Sequence, residues 1–188
     1  MNFDITILGC GAATPTMRYR PTAQLVSIRD HYFLIDCGEG TQMQMRALGL
    51  KMQRISHIFI SHLHGDHFYG LLGLISTFSL LGRTQPLVVV GPAALEAWLF
   101  QSFKISDTYL TFEIHFISTD PDQPGVAWEN EFLEVHSVPL KHRIQCNGFL
   151  FREKEHERKL IKSFIHEFQI GLEEMIQLKK NQSVKREK

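Results

Sequence analysis

The stretch SHLHGDH, residues 61–67, decides how the rest of the sequence is interpreted. It places three imidazoles and one carboxylate within seven residues, and zinc accepts both kinds of ligand. Apolar runs flank it at residues 58–60 and 70–81. If these runs form a buried strand and a buried helix, the polar cluster lies at the carboxyl end of a strand, where open α/β folds place their sites. An irregular loop is predicted, because a helix would put His62 off the face that His67 occupies.

The remaining patterns predict an α/β fold with layered αβ/βα organisation, because strand and helix signals alternate along the chain. Alternating or apolar runs predict strands at residues 3–8, 23–28, 32–35, 87–90, 111–117, 132–138 and 147–151. Helices are predicted at residues 41–48, which Gly49 ends, and at residues 93–103, after Pro92.

Charge is balanced over the whole chain but unevenly distributed. The 188 residues carry no formal net charge, so no overall electrostatic attraction toward nucleic acid is predicted. The first 149 residues carry 10 Lys+Arg and 13 Asp+Glu, whereas residues 150–188 carry 10 and 7. Basic charge is therefore concentrated in the tail.

The cysteines and the apolar runs indicate a cytoplasmic protein. Three scattered cysteines, Cys10, Cys37 and Cys146, argue against a disulfide framework and for a reducing compartment. No apolar stretch reaches the ~18 residues that a membrane span needs, and the N-terminus lacks a basic-then-apolar signal.

Asp36 stands at the end of the strand predicted at residues 32–35. A carboxylate there can accept the free ring N–H of a metal-bound histidine, which fixes the tautomer and raises the basicity of the ligand. A helix N-cap or an ordinary loop acid is the alternative. His115 and His136 fall within predicted strands and are left out of the site.

Four motifs together resemble the metallo-β-lactamase superfamily, and within it the branch of tRNase Z, the endoribonuclease that trims tRNA 3′ trailers. They are the glycine-rich loop at residues 8–16, the DCGEG segment within residues 34–42, HLHGDH at residues 62–67 and PLKH at residues 139–142. They follow the family's order between residue 3 and about residue 152.

The resemblance implies a site for two zinc ions. The ligands of the first ion would be His62, His64 and His142, and those of the second Asp66 and His67. Asp66 would also act catalytically, as the group that orients the attacking water or accepts its proton. The expected substrate is precursor tRNA, cut to leave a free 3′-hydroxyl, and a homodimer is expected from the same resemblance.

The resemblance also implies a metallo-β-lactamase-like four-layer αβ/βα sandwich, whose second half is incomplete in this chain. Residues 1–152 would form its N-terminal part. Residues 153–188 are predicted to form a basic helical tail with a disordered end from residue 179, and the resemblance implies a tRNA-binding arm in this place. An alternative is a solvated helix packed on its own domain. Gly171 weakens the predicted helix, so two shorter helices are an option.

The family's bridging aspartate, its further histidine ligand and its general acid have no counterpart here. His156, His166, Glu167 and Glu173 match no motif. A truncated product is therefore expected, with core surface left uncovered and a tendency to associate.

Three hypotheses follow. The first is a tRNA-processing phosphodiesterase, and the second is another zinc hydrolase of the superfamily, acting on a small phosphodiester, sulfate ester or acyl substrate. The third is a catalytically inactive fragment that binds one metal weakly or only binds a partner.

Overall fold

The computed structural model of the protein describes residues 3–29, 31–155, 159–180 and 182–185. The strands in these residues are β1 (Phe3–Gly9), β2 (Ala23–Ile28), β3 (His31–Ile35), β4 (Ile55–Phe59), β5 (Leu87–Gly91), β6 (Ile114–Ser118), β7 (Gly125–Glu129), β8 (Leu133–Pro139) and β9 (Asn147–Glu153). The helices are α1 (Thr41–Ala47), α2 (Gly65–Phe68), α3 (Leu71–Leu80), α4 (Ala93–Ile105), α5 (Lys162–Glu167) and α6 (Leu172–Lys179). The predicted α/β class is confirmed.

Six strands form the first sheet, in the order in which they occur along the chain, β1 to β6. The pairs β1–β2 and β2–β3 are antiparallel, and β3 to β6 are parallel. Parallel neighbours need a crossover, which α1, α3 and α4 supply. These helices cover one face of the sheet with buried residues such as Met45, Phe78 and Leu99. The carboxyl ends of β3, β4 and β5 therefore meet at one edge.

The second sheet, β7-β8-β9, covers the other face of the first. Aromatic rings fill the space between them, with Phe33 and Phe59 of the first sheet against Trp128, Phe149 and Phe151 of the second. The result is three layers: helices, a six-stranded sheet and a three-stranded sheet. The fourth predicted layer is not formed by the described residues, since Val126 and Leu150 on the second sheet are exposed.

The uncovered core surface that the sequence predicts lies on β1. Ile5 pairs with Val26 of β2, which is buried under the second sheet. Ile5 itself is 64% exposed and Ile7 is 55% exposed. The three-stranded sheet is thus too narrow to cover the first sheet as far as its edge strand.

The strand predictions need correction at three places. β4 begins at Ile55, three residues before the apolar run at residues 58–60. β6 begins at Ile114, three residues later than predicted, because Thr111 is bound to the end of α3: its amide donates to Ser79 Oγ (3.0 Å) and its hydroxyl to the Arg83 carbonyl (2.6 Å). β7 was not predicted, because only Ala127 of its five residues is buried and the apolar signal is weak.

The tail contains two short helices, the option that Gly171 left open, and Gly171 is the N-cap of α6. Neither α5 nor α6 contains a buried residue, so the tail adds nothing to the core. The end predicted to be disordered begins too early at residue 179, because Lys179 is the last residue of α6. Residues 182–185 have no regular structure, and residues 181 and 186–188 lie outside the described residues. None of the described helices is long and apolar enough to cross a membrane.

His57 of β4 is a titratable side chain inside the aromatic layer between the sheets. Its ring lies 4.4 Å from the Trp128 ring and 5.3 Å from the Phe33 ring, centroid to centroid. Its Nε2 has no hydrogen-bond partner among the described residues. Burial, followed by the charges of His31 and Arg83, lowers the pKa of His57 from 6.5 to about 4.

This shift predicts acid destabilisation that His57→Leu relieves. Above pH 6.5 both states hold a neutral ring; between pH 6.5 and about 4 the unfolded chain gains a proton that the folded protein excludes. His57 should therefore lower the free energy of unfolding by up to about 1.4 kcal/mol per pH unit in this window. Urea unfolding followed by tryptophan fluorescence at several pH values measures the slope. The control is His115→Leu, at an exposed position of β6. An equal slope for wild type and His57→Leu contradicts the prediction.

Candidate metal centre

The SHLHGDH stretch leaves the carboxyl end of β4 and runs along the edge of the first sheet. Hydrogen bonds tie its start to both sheets, because Ile60 N–H donates to the Val90 carbonyl (2.8 Å) and Asn147 N–H donates to the Ser61 carbonyl (2.9 Å). The predicted irregular loop is only partly correct. Residues 62–64 lack regular structure, but Asp66 and His67 lie in the single turn of α2.

Three imidazoles converge in front of this edge. His62 Nε2 lies 3.0 Å from His64 Nδ1, and His142 Nε2 lies 3.3 Å from the same atom. The three ring nitrogens all lie within 4.8 Å of one another. A tetrahedral zinc ion at about 2.0–2.1 Å from each nitrogen needs separations of roughly 3.3 Å. The donor set therefore fits one such ion with small side-chain adjustments.

His142 reaches this cluster from a different layer. It lies on the connection between β8 and β9, which is closed where Leu140 N–H donates to the Cys146 carbonyl (2.8 Å). The connection places His142 over His62 and His64, with ring centroids 4.8 and 5.1 Å away. The second sheet thus contributes one residue to a site that is otherwise built by the first.

Asp66 and His67 lie beside the three imidazoles. His67 Nε2 is 3.6 Å from Asp66 Oδ2, and the rings of His67 and His62 are 3.9 Å apart. Asp66 Oδ2 also accepts the backbone N–H of Ala13 (2.8 Å), in the predicted glycine-rich loop. Ala13 has a left-handed backbone with φ 59°, which the loop needs in order to present this amide.

The buried carboxylate of Asp36 holds residues 61–67, called here the metal loop, in place. Asp36 Oδ1 accepts the Ser61 N–H (2.8 Å), while Oδ2 accepts the Ser61 hydroxyl (2.9 Å) and His67 Nδ1–H (2.7 Å). With Nδ1 protonated, His67 presents the lone pair of Nε2 to Asp66 and the cavity. The contact that the sequence suggested for Asp36 is therefore present in the structure.

Ser61 extends the effect of Asp36 to His62, which the sequence analysis missed. Its Oγ lies 3.0 Å from His62 Nδ1. Because the single hydroxyl hydrogen of Ser61 is donated to Asp36, Ser61 Oγ accepts the Nδ1–H of His62. His62 Nε2 is then unprotonated, and its lone pair faces the other imidazoles. The available signal was a hydroxyl residue directly before the first histidine, at the end of a strand.

The protonation states follow from these surroundings. Burial lowers the pKa of His62 to about 4, and the charges of His67, His64 and His142 act in the same direction. The charge of Asp36 opposes this shift but is outweighed. Burial also lowers the pKa of His67, but the hydrogen bond and charge of Asp36, with the charge of Asp66, outweigh it and the net shift is upward. His62 is therefore neutral at pH 7, the form that binds metal.

Two glycines allow the metal loop to lie against the turn after β3. A Cβ at Gly38 would lie 2.4 Å from the Asp66 carbonyl, and one at Gly70 would lie 2.3 Å from the Gly38 carbonyl. The same approach lets Cys37 N–H donate to the His67 carbonyl (2.7 Å) and Gly70 N–H to the Cys37 carbonyl (2.9 Å). Side chains at either glycine would separate Asp36 from His67.

The cluster opens into a cavity of about 660 Å³, called here the metal cavity. Besides the five ligand-type residues its lining includes Tyr69 and Arg143. Arg143 Nη2 lies 3.4 Å from His64 Nε2, the nitrogen that faces away from the other imidazoles. Neither residue was singled out from the sequence, because each reaches the cavity only through the path of its loop.

Other candidate ligands lie elsewhere. His115 contacts Glu113, which directly precedes β6, and His136 contacts Glu134 on its own strand β8. His166, Glu167 and Glu173 are exposed on α5 and α6, and His156 lies outside the described residues. In the described part of the chain, the group of metal-ligating side chains that is close enough for one ion consists of His62, His64 and His142.

Known proteins resemble the chain in sequence. A sequence model of the family described as "Anti-Pycsar protein Apyc1" matches residues 3–155. The ribonuclease Z of Parabacteroides distasonis is 47% identical over 95% of this chain and 59% of its own length. The ribonuclease Z of Bacteroides fragilis (strain ATCC 25285) is 45% identical over 94% of this chain and 58% of its own length. The chain thus spans less than two thirds of the length of these curated relatives.

Solved structures share the fold. Human tRNase Z, short form, superposes with a TM-score of 0.73 and 35% identity, over 80% of this chain and 64% of that one. The metallo-β-lactamase fold protein YhfI from Bacillus subtilis superposes with a TM-score of 0.63 over 87% of this chain and 67% of its own, at 22% identity, which shows the fold alone.

The fold and the histidine cluster together define a metallo-β-lactamase-fold protein with a metal site. Within that class, the chain belongs to the family whose sequence model is described as anti-Pycsar protein Apyc1. The resemblance to tRNase Z that the motifs suggested is confirmed by the ribonuclease Z relatives and by the human structure.

Asp36→Asn should lower the pKa of His67 in the metal-free protein. The substitution removes the negative charge that raises this pKa and leaves the burial that lowers it. NMR titration of the ring carbon signals measures the shift. Glu39→Gln, which lines the metal cavity, is the matched control. An unchanged titration of His67 in Asp36→Asn would show that the carboxylate does not govern this ring.

Proposed function

We propose that the chain belongs to a metal-dependent endoribonuclease that removes the 3′ trailer from tRNA precursors, and that it supplies part of the metal site. The observation that carries this proposal is the convergence of His62, His64 and His142 beside Asp66 and His67 at one open cavity. The relatives named ribonuclease Z, at 42–47% identity, support the choice of RNA as substrate.

The metal is proposed to be zinc, with two ions per site. His62, His64 and His142 would hold the first ion through neutral nitrogens, and Asp66 and His67 would contribute to the second. Because Asp66 and His67 offer only two side chains, the second ion needs further ligands. Bound ions of this kind make water a better nucleophile near neutral pH and neutralise charge on a phosphodiester.

The chain's own residues orient the reactants in this proposal. Asp66 is the proton acceptor, and the Ala13 amide at 2.8 Å from Oδ2 fixes its direction. Asp36 and Ser61 fix the tautomers of His67 and His62. The Arg143 guanidinium at the cavity wall is available to bind the non-bridging phosphate oxygens of the substrate. The products would be a tRNA with a 3′-hydroxyl and a trailer with a 5′-phosphate.

Assembly and location belong to the same proposal. Cys10, Cys37 and Cys146 are unpaired, which fits the reducing cytoplasm. A homodimer is proposed from the likeness to tRNase Z. The exposed apolar side chains of Ile5 and Ile7 on β1 are consistent with association of this chain.

A second candidate is a hydrolase that acts on a small phosphodiester. The metal cavity favours it in one respect, since about 660 Å³ accommodates a small ligand without any contribution from the tail. Cleavage of precursor tRNA compared with a chromogenic phosphodiester separates the two functions. A protein that cleaves only the small ester supports the second candidate.

In a protein of the full length of the ribonuclease Z relatives, which supplies the further ligands, Asp66→Ala should reduce cleavage of precursor tRNA by at least about 10³-fold, because it removes a proposed ligand and the proposed proton acceptor together. Affinity for the tRNA should change little, since binding rests on contacts along the RNA backbone. Gel-based cleavage of labelled precursor and fluorescence anisotropy measure the two quantities. Asp107→Ala, in the exposed turn that follows α4, is the control. Undiminished cleavage by Asp66→Ala means that the assigned role is wrong.

Metal content tests the ligand set independently of activity. Elemental analysis after dialysis against buffered zinc counts the ions. The three converging imidazoles predict at least one ion per chain in the wild type, and two ions would exclude a broken site. Fewer ions should remain in His142→Ala, which removes one of the three converging nitrogens. His136→Ala, on β8 and outside the cluster, should match the wild type. Zero or one ion in the wild type instead favours an inactive fragment.

A further inference from the structure

The Tyr69 ring stands at the rim of the metal cavity and separates it from a second, smaller cavity. This side cavity has a volume of about 220 Å³ and is lined by Tyr69, Glu39, Gly40, Thr41, Gln42 and two glycines of the α3 region. Glu39 and Tyr69 line both cavities. A ligand bound at the metal centre therefore meets this ring when it extends toward the side cavity.

The backbone and one neighbouring ring hold Tyr69 in place. A Cβ at Gly65 would lie 2.2 Å from Tyr69 Cε2, so the ring rests directly on the backbone of the glycine between His64 and Asp66. The Phe68 ring lies 4.8 Å away, centroid to centroid. Tyr69 is nevertheless 58% exposed. One side of the ring is thus packed and pre-positioned, while the rest of its surface is open to a ligand.

The side cavity also presents oriented polar groups. Gln42 Oε1 accepts the Thr77 hydroxyl (2.7 Å), which fixes the amide, and Gln42 Nε2 lies near Gly73 on the wall of the cavity. The Glu39 carboxylate is exposed at the boundary with the metal cavity. An amide donor and a carboxylate acceptor beside an open aromatic ring match the edge and the face of a nucleobase.

We propose that Tyr69 and the side cavity form a subsite for the nucleobase next to the phosphodiester that is cut. The inference rests on the proposed ribonuclease function, which places a phosphate at the metal centre and one base on each side of it. At about 220 Å³, the side cavity is smaller than the ~300–1,000 Å³ pockets of drug-sized ligands and suits a single planar heterocycle. Tyr69 stacks on the base, and Gln42 and Glu39 contact its edge.

A cycle of protein and RNA changes tests the subsite. The RNAs are an acceptor-stem hairpin with a short 3′ trailer and two versions with an abasic ribose on either side of the cut. Fluorescence anisotropy at one fixed salt concentration measures the affinity. One abasic version should bind wild type about 5- to 100-fold more weakly, as expected for the loss of one base–aromatic stack. Tyr69→Ala should lose the same factor on the intact RNA and lose nothing further on that abasic version.

Two further variants separate stacking from structure. Tyr69→Phe should behave as wild type, because none of the hydrogen bonds among the described residues involves the Tyr69 hydroxyl and only the ring is needed. Tyr109→Ala, at a tyrosine that is 88% exposed outside both cavities, is the matched control and should also bind as wild type. Zinc content and circular dichroism show whether Tyr69→Ala still folds.

The proposal is overturned if Tyr69→Ala binds the intact RNA as tightly as wild type does. It is also overturned if the affinity lost through Tyr69→Ala and the affinity lost through the abasic site multiply when both changes are combined. If Tyr69→Ala does not fold, the proposal is overturned when wild type binds all three RNAs with equal affinity. If the Tyr69→Ala loss and the abasic loss overlap but wild type cleaves no precursor, the subsite stands and the proposed ribonuclease function is wrong. If wild type cleaves the precursor but the two losses do not overlap, the function stands and the subsite is wrong.

Discussion

The rest of the site depends on the hydrogen bonds that the Asp36 carboxylate accepts. Asp36 is buried and has a left-handed backbone with φ 57°, and its carboxylate accepts three hydrogen bonds from Ser61 and His67. A non-glycine residue in this conformation costs about 1–3 kcal/mol. Hydrogen bonds to a charged group contribute about 1.5–3 kcal/mol each, so the three bonds outweigh the backbone cost. The strained backbone of Asp36 is tolerated because the three hydrogen bonds from the metal loop stabilise its carboxylate.

The hydrogen bonds of Asp36 also explain why the two halves of the metal loop can differ in structure. Asp36 binds the loop at its beginning, through Ser61, and near its end, through His67. Because both points are fixed, the backbone between them can be extended at residues 62–64 and helical from Gly65 onward while Ser61 and His67 stay bound to Asp36. Gly38 and Gly70 permit the backbone contact that brings the two segments together.

The layers of the fold gather residues that are far apart in the chain. Parallel strands bring the ends of β3 and β4 side by side, so Asp36 meets residues 61–67. The N-terminal loop folds back to place the Ala13 amide on Asp66, and the β8–β9 connection places His142 opposite His64. The aromatic layer around Phe33 and Phe59 fixes the distance between the sheets, and therefore the position of His142 over the first sheet.

The sequence by itself determined the α/β class, most strands and helices, and five ligand-type residues, because local patterns and short motifs encode these features. His62, His64, Asp66 and His67 are neighbours in the chain, and His142 belonged to a motif. Only the tertiary structure decided which ring nitrogens face each other, that Ser61 connects His62 to Asp36, and that Tyr69 and Arg143 border the cavity. These features depend on contacts between segments separated by 25 to 79 residues, or on the direction of a side chain after a turn. No local periodicity records such contacts, since they exist only once the two sheets have packed.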